Sequence, residues 1–309
     1  MVLHSATAFA PGSVGNLGPG LDILGLALEG PGDTVTITRS SQPGMRVVEP
    51  GHPALPTDPS RHSAAIAARA VLVESGHDVS LGVELRVSKG LPLAGGQGGS
   101  AASAAAGAVA MNALLGGPLS NDQLILAALE AEAVVAGRHA DNVAPSILGG
   151  LVLIRSLDPP DFIRLPVPTA LWVVLAHPDQ QLRTAEGRAS LPDSVPRDLA
   201  LHQAAQVAAI VAGALQNDAA LLGRAIDDRI AEPARAPLLP GFREAKGAAM
   251  AAGALGCSIS GSGPTAFALV SSEADGQQVG EAMRTAYRAA GVACTVRVNR
   301  PDLRGARVL

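Results

Sequence analysis

The chain has 309 residues, 48% of them hydrophobic but only 2% aromatic, with a formal net charge of -4. That length holds two ordinary domains around a large aliphatic core, which excludes intrinsic disorder, and the lack of a basic cluster argues against a nucleic-acid partner. No apolar run reaches the roughly 18 residues of a membrane span, residues 1–13 show no signal-peptide pattern, and two cysteines, Cys257 and Cys294, make neither a disulfide framework nor a zinc site; a cytoplasmic protein without a membrane partner is expected.

Residues 4–10 read as a short strand running into the glycine- and proline-rich PGSVGNLGPGLDILGLAL, and residues 34–39 alternate as a second strand. An alanine-rich helix over 60–73 and a strand over 81–87 come next. A glycine-dense loop over 90–99 then feeds the strong helix SAASAAAGAVAMNALLG. Residues 122–137 form another helix, with Ser120 as its cap, and 151–155 a strand. The Pro- and Asp-rich stretch 157–168 marks a boundary between domains 1–160 and 161–309. Beyond it come a strand (171–176), helices (197–229 and 241–252), two strands (257–260 and 265–270), a helix (274–290) and a strand (293–298). This βαββαβ order predicts a ferredoxin-like sandwich, and both halves read as α+β.

Four constellations carry chemistry. In Pro92–Ser103 the glycines at 95, 96, 98 and 99 let successive N–H groups converge on an anion, and the helix start that follows favours phosphate. No lysine follows these glycines, so this is not a GxxxxGK[ST] loop; Lys89 and Lys246 are the only lysines in the chain. A flexible turn into a core helix is the bland alternative. In residues 11–22, Asn16 and Asp22 sit in a glycine-broken loop, where Asx residues either stabilise turns or face a ligand. Glu130 and Glu132, followed by Arg138, His139, Asp141 and Asn142, gather carboxylates, an imidazole and an amide that suit a magnesium-phosphate or polar-substrate site. Residues 256–265 form a Gly/Ser turn between two strands, either a plain hairpin or a lip over an anion.

Taken in order, these segments resemble the signature motifs of the GHMP kinases, and within that group those of the homoserine kinases. GSVGNLGPGLDILGLAL, HADNVAP, RTAEGR at 183–188 and EPARAPLLPGF at 232–242 carry the likeness. The resemblance implies an N-terminal α+β domain with a left-handed βαβ crossover and a C-terminal ferredoxin-like α/β sandwich. It implies ATP-dependent phosphorylation of L-homoserine in threonine biosynthesis, with magnesium, by a homodimer. By position, Arg188 and Arg235 would hold the amino acid's carboxylate, a planar anion suited to guanidinium. Asn16, Asp22, His139, Asp141, Thr184 and Gly261 would complete the substrate set. Pro92, Leu93, Ala94, Gly95, Gly96, Gln97, Gly98, Gly99, Ser100, Ala101 and Ser103, with His62, would surround ATP. Ser100 and Glu132 would hold the metal, with Glu130 as a rival. Asp141, Asn142 and Arg188 would act at the reacting centre, Asp141 being the nearest candidate base in a group described without a dedicated one.

The sequence departs from the usual GLGSSAAS loop at Gln97, where leucine is usual, and at Gly99, where serine is. Leu21 replaces a usual phenylalanine, and His62 an asparagine. Two alternatives stand beside the homoserine kinase reading: another GHMP kinase acting on a hydroxylated carboxylate, and a non-catalytic ligand-binding regulator of the same fold.

Overall fold

The computed structural model describes residues 3–135 and 137–309. The first half opens with β1 (Ser5–Gly15), β2 (Leu24–Arg39) and β3 (Met45–Glu49), followed by α1 (Ser63–Glu74) and β4 (Val83–Ser88). β1 and β2 form a long antiparallel hairpin, β4 pairs antiparallel with β2, and β3 pairs parallel with β4. The helices α2 (Gly99–Leu114), α3 (Asn121–Val135) and α4 (Val143–Leu148) come next, and then the hairpin of β5 (Leu151–Leu157) and β6 (Pro160–Leu165). β5 pairs with the first residues of β2, Leu24–Leu26.

In the second half, β7 (Trp172–Pro178) leads into α5 (Thr184–Ala189), α6 (Arg197–Leu215), α7 (Ala219–Arg224), α8 (Ala231–Arg235) and α9 (Phe242–Ala251). β8 (Gly256–Ile259), β9 (Ala266–Val270), α10 (Glu273–Ala289) and β10 (Cys294–Asn299) complete an antiparallel sheet of order β10-β7-β9-β8. That is the ferredoxin-like order expected from the sequence. A last strand, β11 (Arg307–Val308), returns to the first sheet and pairs with β1.

Three cores hold this arrangement. The first lies between the first sheet and α1–α4, and small residues build it: Ala6, Ala8 and Ala10 of β1 face the alanines of α2. A Cβ on Gly107 would come within 2.4 Å of the Ala64 carbonyl oxygen, so α1 and α2 approach as closely as backbone allows. The second core joins the halves: Val14, Leu24, Leu26 and Leu28 of the first sheet pack with Val173, Leu175, Phe267 and Leu269 of the second, and with Ile210 of α6. The third fills the space between the second sheet and α9 and α10. Aliphatic side chains do most of this, as the 2% aromatic content requires, with Phe267 in the second core and Phe242 and Tyr287 in the third.

The sequence reading differs from the structure in several places. β1 continues through Pro11–Gly15, because its backbone stays paired with β2 across a register shift between Pro11 and Ser13. Residues 160–165, inside the expected boundary, form β6, and the sheets change over between Leu165 and Trp172. β3, α4, α5, α8 and β11 are not among the expected elements, and the long helical stretch expected over 197–229 breaks into α6 and α7. Ser120 does cap α3: its Oγ accepts the Gln123 N–H at 3.4 Å while Gln123 Oε1 accepts the Ser120 N–H at 3.0 Å. Among the described residues one helix, α6, is long and apolar enough to cross a membrane by length and composition. It nevertheless buries Gln203, whose amide donates to Pro19 O and Asp228.

Two glycines separate backbone crowding from backbone entropy. A Cβ at Gly25 would lie 1.7 Å from the Asp141 carbonyl oxygen, while at the exposed, helical Gly247 it would meet nothing within 4 Å. Gly25→Ala is expected to destabilise by about 1–3 kcal/mol, and Gly247→Ala to stabilise by about 0.4–1 kcal/mol. Urea unfolding midpoints that move in the same direction for both would contradict this account.

Candidate active site

A cleft of about 430 Å³ opens at the seam between the halves. The β1–β2 loop enters it through backbone that most residues avoid: Asn16, Leu17 and Asp22 all have positive φ, at 66, 44 and 63 degrees. Asn16 is buried and tied down at three atoms. Its N–H donates to Asp141 Oδ2 at 2.9 Å, its Nδ2 to Gly261 O at 2.9 Å, and its Oδ1 accepts the Asp22 N–H at 3.0 Å. Asp22 is thereby aimed across the cleft, where its Oδ1 meets Arg188 Nη2 of α5 at 2.6 Å.

Arg235 ends α8 and is only 2% exposed. Its Nε donates to Gly187 O at 3.1 Å and its Nη1 to Gly261 O at 2.9 Å. The start of α8 is fixed by Asp228, whose carboxylate accepts the N–H groups of Ile230, Ala231 and Glu232. Burial and the neighbouring Arg188 both lower the Arg235 pKa, from a value so high that the group stays cationic. Two guanidinium groups lining one cleft suit an anion.

Asp141 lies under Asn16, and its Oδ1 is 3.3 Å from His139 Nδ1. Burial pulls the His139 pKa down, but the hydrogen bond and charge of Asp141, with the charge of Asp22, outweigh it and the net shift is upward. Glu132 of α3 is 3% exposed and its Oε1 has no hydrogen-bond partner. Burial is the main cause of its raised pKa, against the opposing pull of the Ser100 hydroxyl and His139. An unpartnered, buried carboxylate oxygen facing the cleft beside a serine hydroxyl suits a hard cation. Glu130 is exposed and paired with Arg138 at 2.7 Å, which removes it from the cleft.

The glycine loop forms the cleft's opposite wall. Gly98, at φ 69 degrees, caps α2 without a side-chain hydrogen bond, so the first N–H groups of the helix are open to an anion. Beneath them lies a buried ion pair that sequence reasoning missed. Lys89 Nζ bonds Asp33, Gly99 O at 2.8 Å and Ser103 Oγ at 3.0 Å, while Ser103 donates to Asp33 at 2.6 Å. All three ammonium protons are spent inside the protein. The signal was available: one of only two lysines stands immediately before the glycine loop.

These features, an anion-binding helix start, a cation-suited carboxylate and paired arginines, are those of a phosphotransferase. The family model described as GHMP kinases N terminal domain matches residues 62–150, and that described as GHMP kinases C terminal matches residues 209–289. A curated homoserine kinase from Chlorobium phaeobacteroides is 44% identical over 296 residues, covering 92% of each chain. One from Arabidopsis thaliana is 45% identical over 317 residues, covering 100% of this chain and 85% of its own. The chain belongs to the GHMP kinase family. A crystal structure of homoserine kinase from Cytophaga hutchinsonii superposes with a TM-score of 0.94 at 40% identity, covering 100% of this chain and 98% of that one. Lactococcus lactis galactokinase, at 14% identity and a TM-score of 0.74, shares the fold.

In this GHMP kinase the cleft brings together Asn16, Asp22, His139, Asp141, Asn142, Thr184, Arg188, Arg235 and Gly261 with His62, Glu132 and the loop residues Pro92 to Gly96, Gly98 to Ser100 and Ser103. Two residues expected around ATP do not line it. Ala101 is fully buried against the first core, and the Gln97 side chain turns toward the second sheet. Ser103 reaches the cleft, but its hydroxyl is committed to Asp33 and Lys89. His62 begins α1 and its Nε2 contacts Pro50 O at 3.2 Å, while its Nδ1 is buried without a partner.

The raised His139 pKa has a definite sign in stability. Its pairing contributes fully below the unfolded value of about 6.5 and is lost as pH rises through the higher folded value. His139→Gln should therefore cost most stability near about pH 5.5 and progressively less toward about pH 9. Urea unfolding of both proteins across that range checks it, and a pH-independent difference would show that the pair does not ionise.

Proposed function

We propose that this kinase transfers the γ-phosphoryl group of ATP to the side-chain hydroxyl of L-homoserine, giving O-phospho-L-homoserine on the route to threonine. The observation that carries the substrate assignment is the Asp22–Arg188 pair beside Arg235. The two side chains of that pair are 34% and 38% exposed, so the pair stands open to a ligand. A zwitterionic amino acid can exchange with it, offering its carboxylate to Arg188 and Arg235 and its ammonium to Asp22. Arg235 retains Nη2 for this purpose, since Nε and Nη1 are held by backbone carbonyls.

The residues act mainly by positioning and charge. Asp141 is held by the Asn16 N–H and faces His139, so together they orient the acceptor hydroxyl rather than serve as a free strong base. The open N–H groups at the start of α2 and the glycine backbone of the loop hold the phosphates. Ser100 and Glu132 would hold magnesium, which when bound supplies neutralisation of phosphate charge. A homodimer and a cytoplasmic location belong to the same proposal and rest on the resemblance alone.

The test is ADP release by the purified protein with magnesium-ATP, comparing L-homoserine with mevalonate, shikimate, galactose and no acceptor. Release dependent on L-homoserine is expected, and release with another acceptor instead would overturn the substrate. Arg235→Leu should raise the KM for homoserine about 10- to 150-fold, the value of one charge-assisted hydrogen bond, with the KM for ATP nearly unchanged. An unaltered KM for homoserine would remove Arg235 from the site.

A further inference from the structure

We propose that Gln97 is a positioning residue which, through Thr265 and Arg297, latches the phosphate loop onto the second sheet and so sets the affinity for ATP. This rests on the reading of the 92–103 loop as the ATP-phosphate site.

Gln97 is 3% exposed and every polar atom of its side chain has a partner across the seam. Its Nε2 donates to Thr265 Oγ1 at 3.2 Å, and its Oε1 accepts from Arg297 Nη2 of β10. Its backbone carbonyl accepts the Ser13 N–H at 3.2 Å. Only one orientation of the amide satisfies both neighbours, because guanidinium has no acceptor.

Thr265 closes the network. Its hydroxyl donates its single proton to Gly95 O at 2.5 Å, so both lone pairs must accept, one from Gln97 and one from His177 Nδ1 at 2.9 Å. That fixes His177 as the Nδ1–H form. Burial and the charge of Arg297 lower the His177 pKa, and the imidazole donates in the same way whether neutral or protonated. Between these anchors Gly96 rests on the 260–263 turn, where a Cβ would lie 2.7 Å from both Ser260 O and Gly263 O. Gly95 and Gln97 are thus both held by Thr265, Gln97 also by Arg297, and Gly96 lies against the 260–263 turn, immediately before the N–H groups that would meet phosphate. An apolar residue at 97 would keep the packing but remove both side-chain hydrogen bonds, to Thr265 and to Arg297, and leave the half-buried Arg297 guanidinium without its amide.

The variants Gln97→Leu, Arg297→Met and the double variant test this. Each single change is expected to raise the KM for ATP about 5- to 20-fold, with kcat and the KM for homoserine within about twofold. The double variant should be no worse than Gln97→Leu alone, because that change already removes the contact that Arg297→Met removes. Hydrogen exchange should quicken in peptides covering 92–98 of Gln97→Leu and not in α10. Titration with a non-hydrolysable ATP analogue reads the affinity without homoserine. Wild-type affinity in both single variants would overturn the latch, and so would unchanged exchange in the loop. Wild-type protein that binds the analogue but does not turn over homoserine would sink only the substrate reading, while the latch would still be judged by the variants' binding.

Discussion

The geometry of the cleft depends on one side chain and its backbone. Asn16 joins the β1–β2 loop to Asp141 through its N–H, to Asp22 through its Oδ1, and to the second half through Gly261 O. The same Gly261 carbonyl accepts Arg235 Nη1, so the acidic and basic sides of the cleft share a single fixed point. Left-handed backbone at Asn16 and Asp22 costs of order 1–3 kcal/mol each. The shared core beneath, from Val14 and Leu24 to Phe267 and Leu269, offsets it and keeps the two halves from sliding. The polar groups are therefore in place before a substrate arrives, which is the economical arrangement for catalysis by positioning.

Burial separates two ion pairs that look alike on paper. Lys89 and Asp33 are 7% and 0% exposed in their side chains, and every donor and acceptor around them is satisfied. Removing either charge would strand the other in a low-dielectric interior, so the pair is scaffold under the start of α2. Asp22 and Arg188 keep more than a third of their side-chain surface open, and an exposed pair of this kind is worth little by itself. It can be given up to a ligand that supplies the same two charges in mirror image. One pair is fixed and the other exchangeable because of where water reaches.

Much of this was legible in the sequence where chemistry forces residue type. Glycines at 96 and 98 adopt left-handed φ, and Asn16 and Asp22 do the same, so the loops announced themselves through residues that tolerate such backbone. The ferredoxin-like order was legible because β7, β9 and β10 are short apolar or alternating runs set between helices. What stayed hidden was decided by neighbours far along the chain. Pro11–Gly15 reads as a turn by composition, but pairing with β2 makes it strand. Ser103 and Gln97 belong to the glycine-rich motif, yet one turns to Asp33 and the other to Arg297, choices fixed by buried partners 70 and 200 residues away. β11 is a two-residue strand with no pattern to recognise, and exists because β1 has a free edge.

That free edge has a consequence for how the chain reaches its structure. Ala8 and Phe9 of β1 pair with Val308 and Arg307, and the Arg307 guanidinium lies 4.4 Å from the centre of the Phe9 ring. During synthesis β1 must therefore wait for the residues of β11, which follow the entire second sheet, before its outer hydrogen bonds are made. Until then it presents an open, alanine-lined strand margin of the kind that recruits other chains. The first sheet is in this sense completed only after the second half has been made.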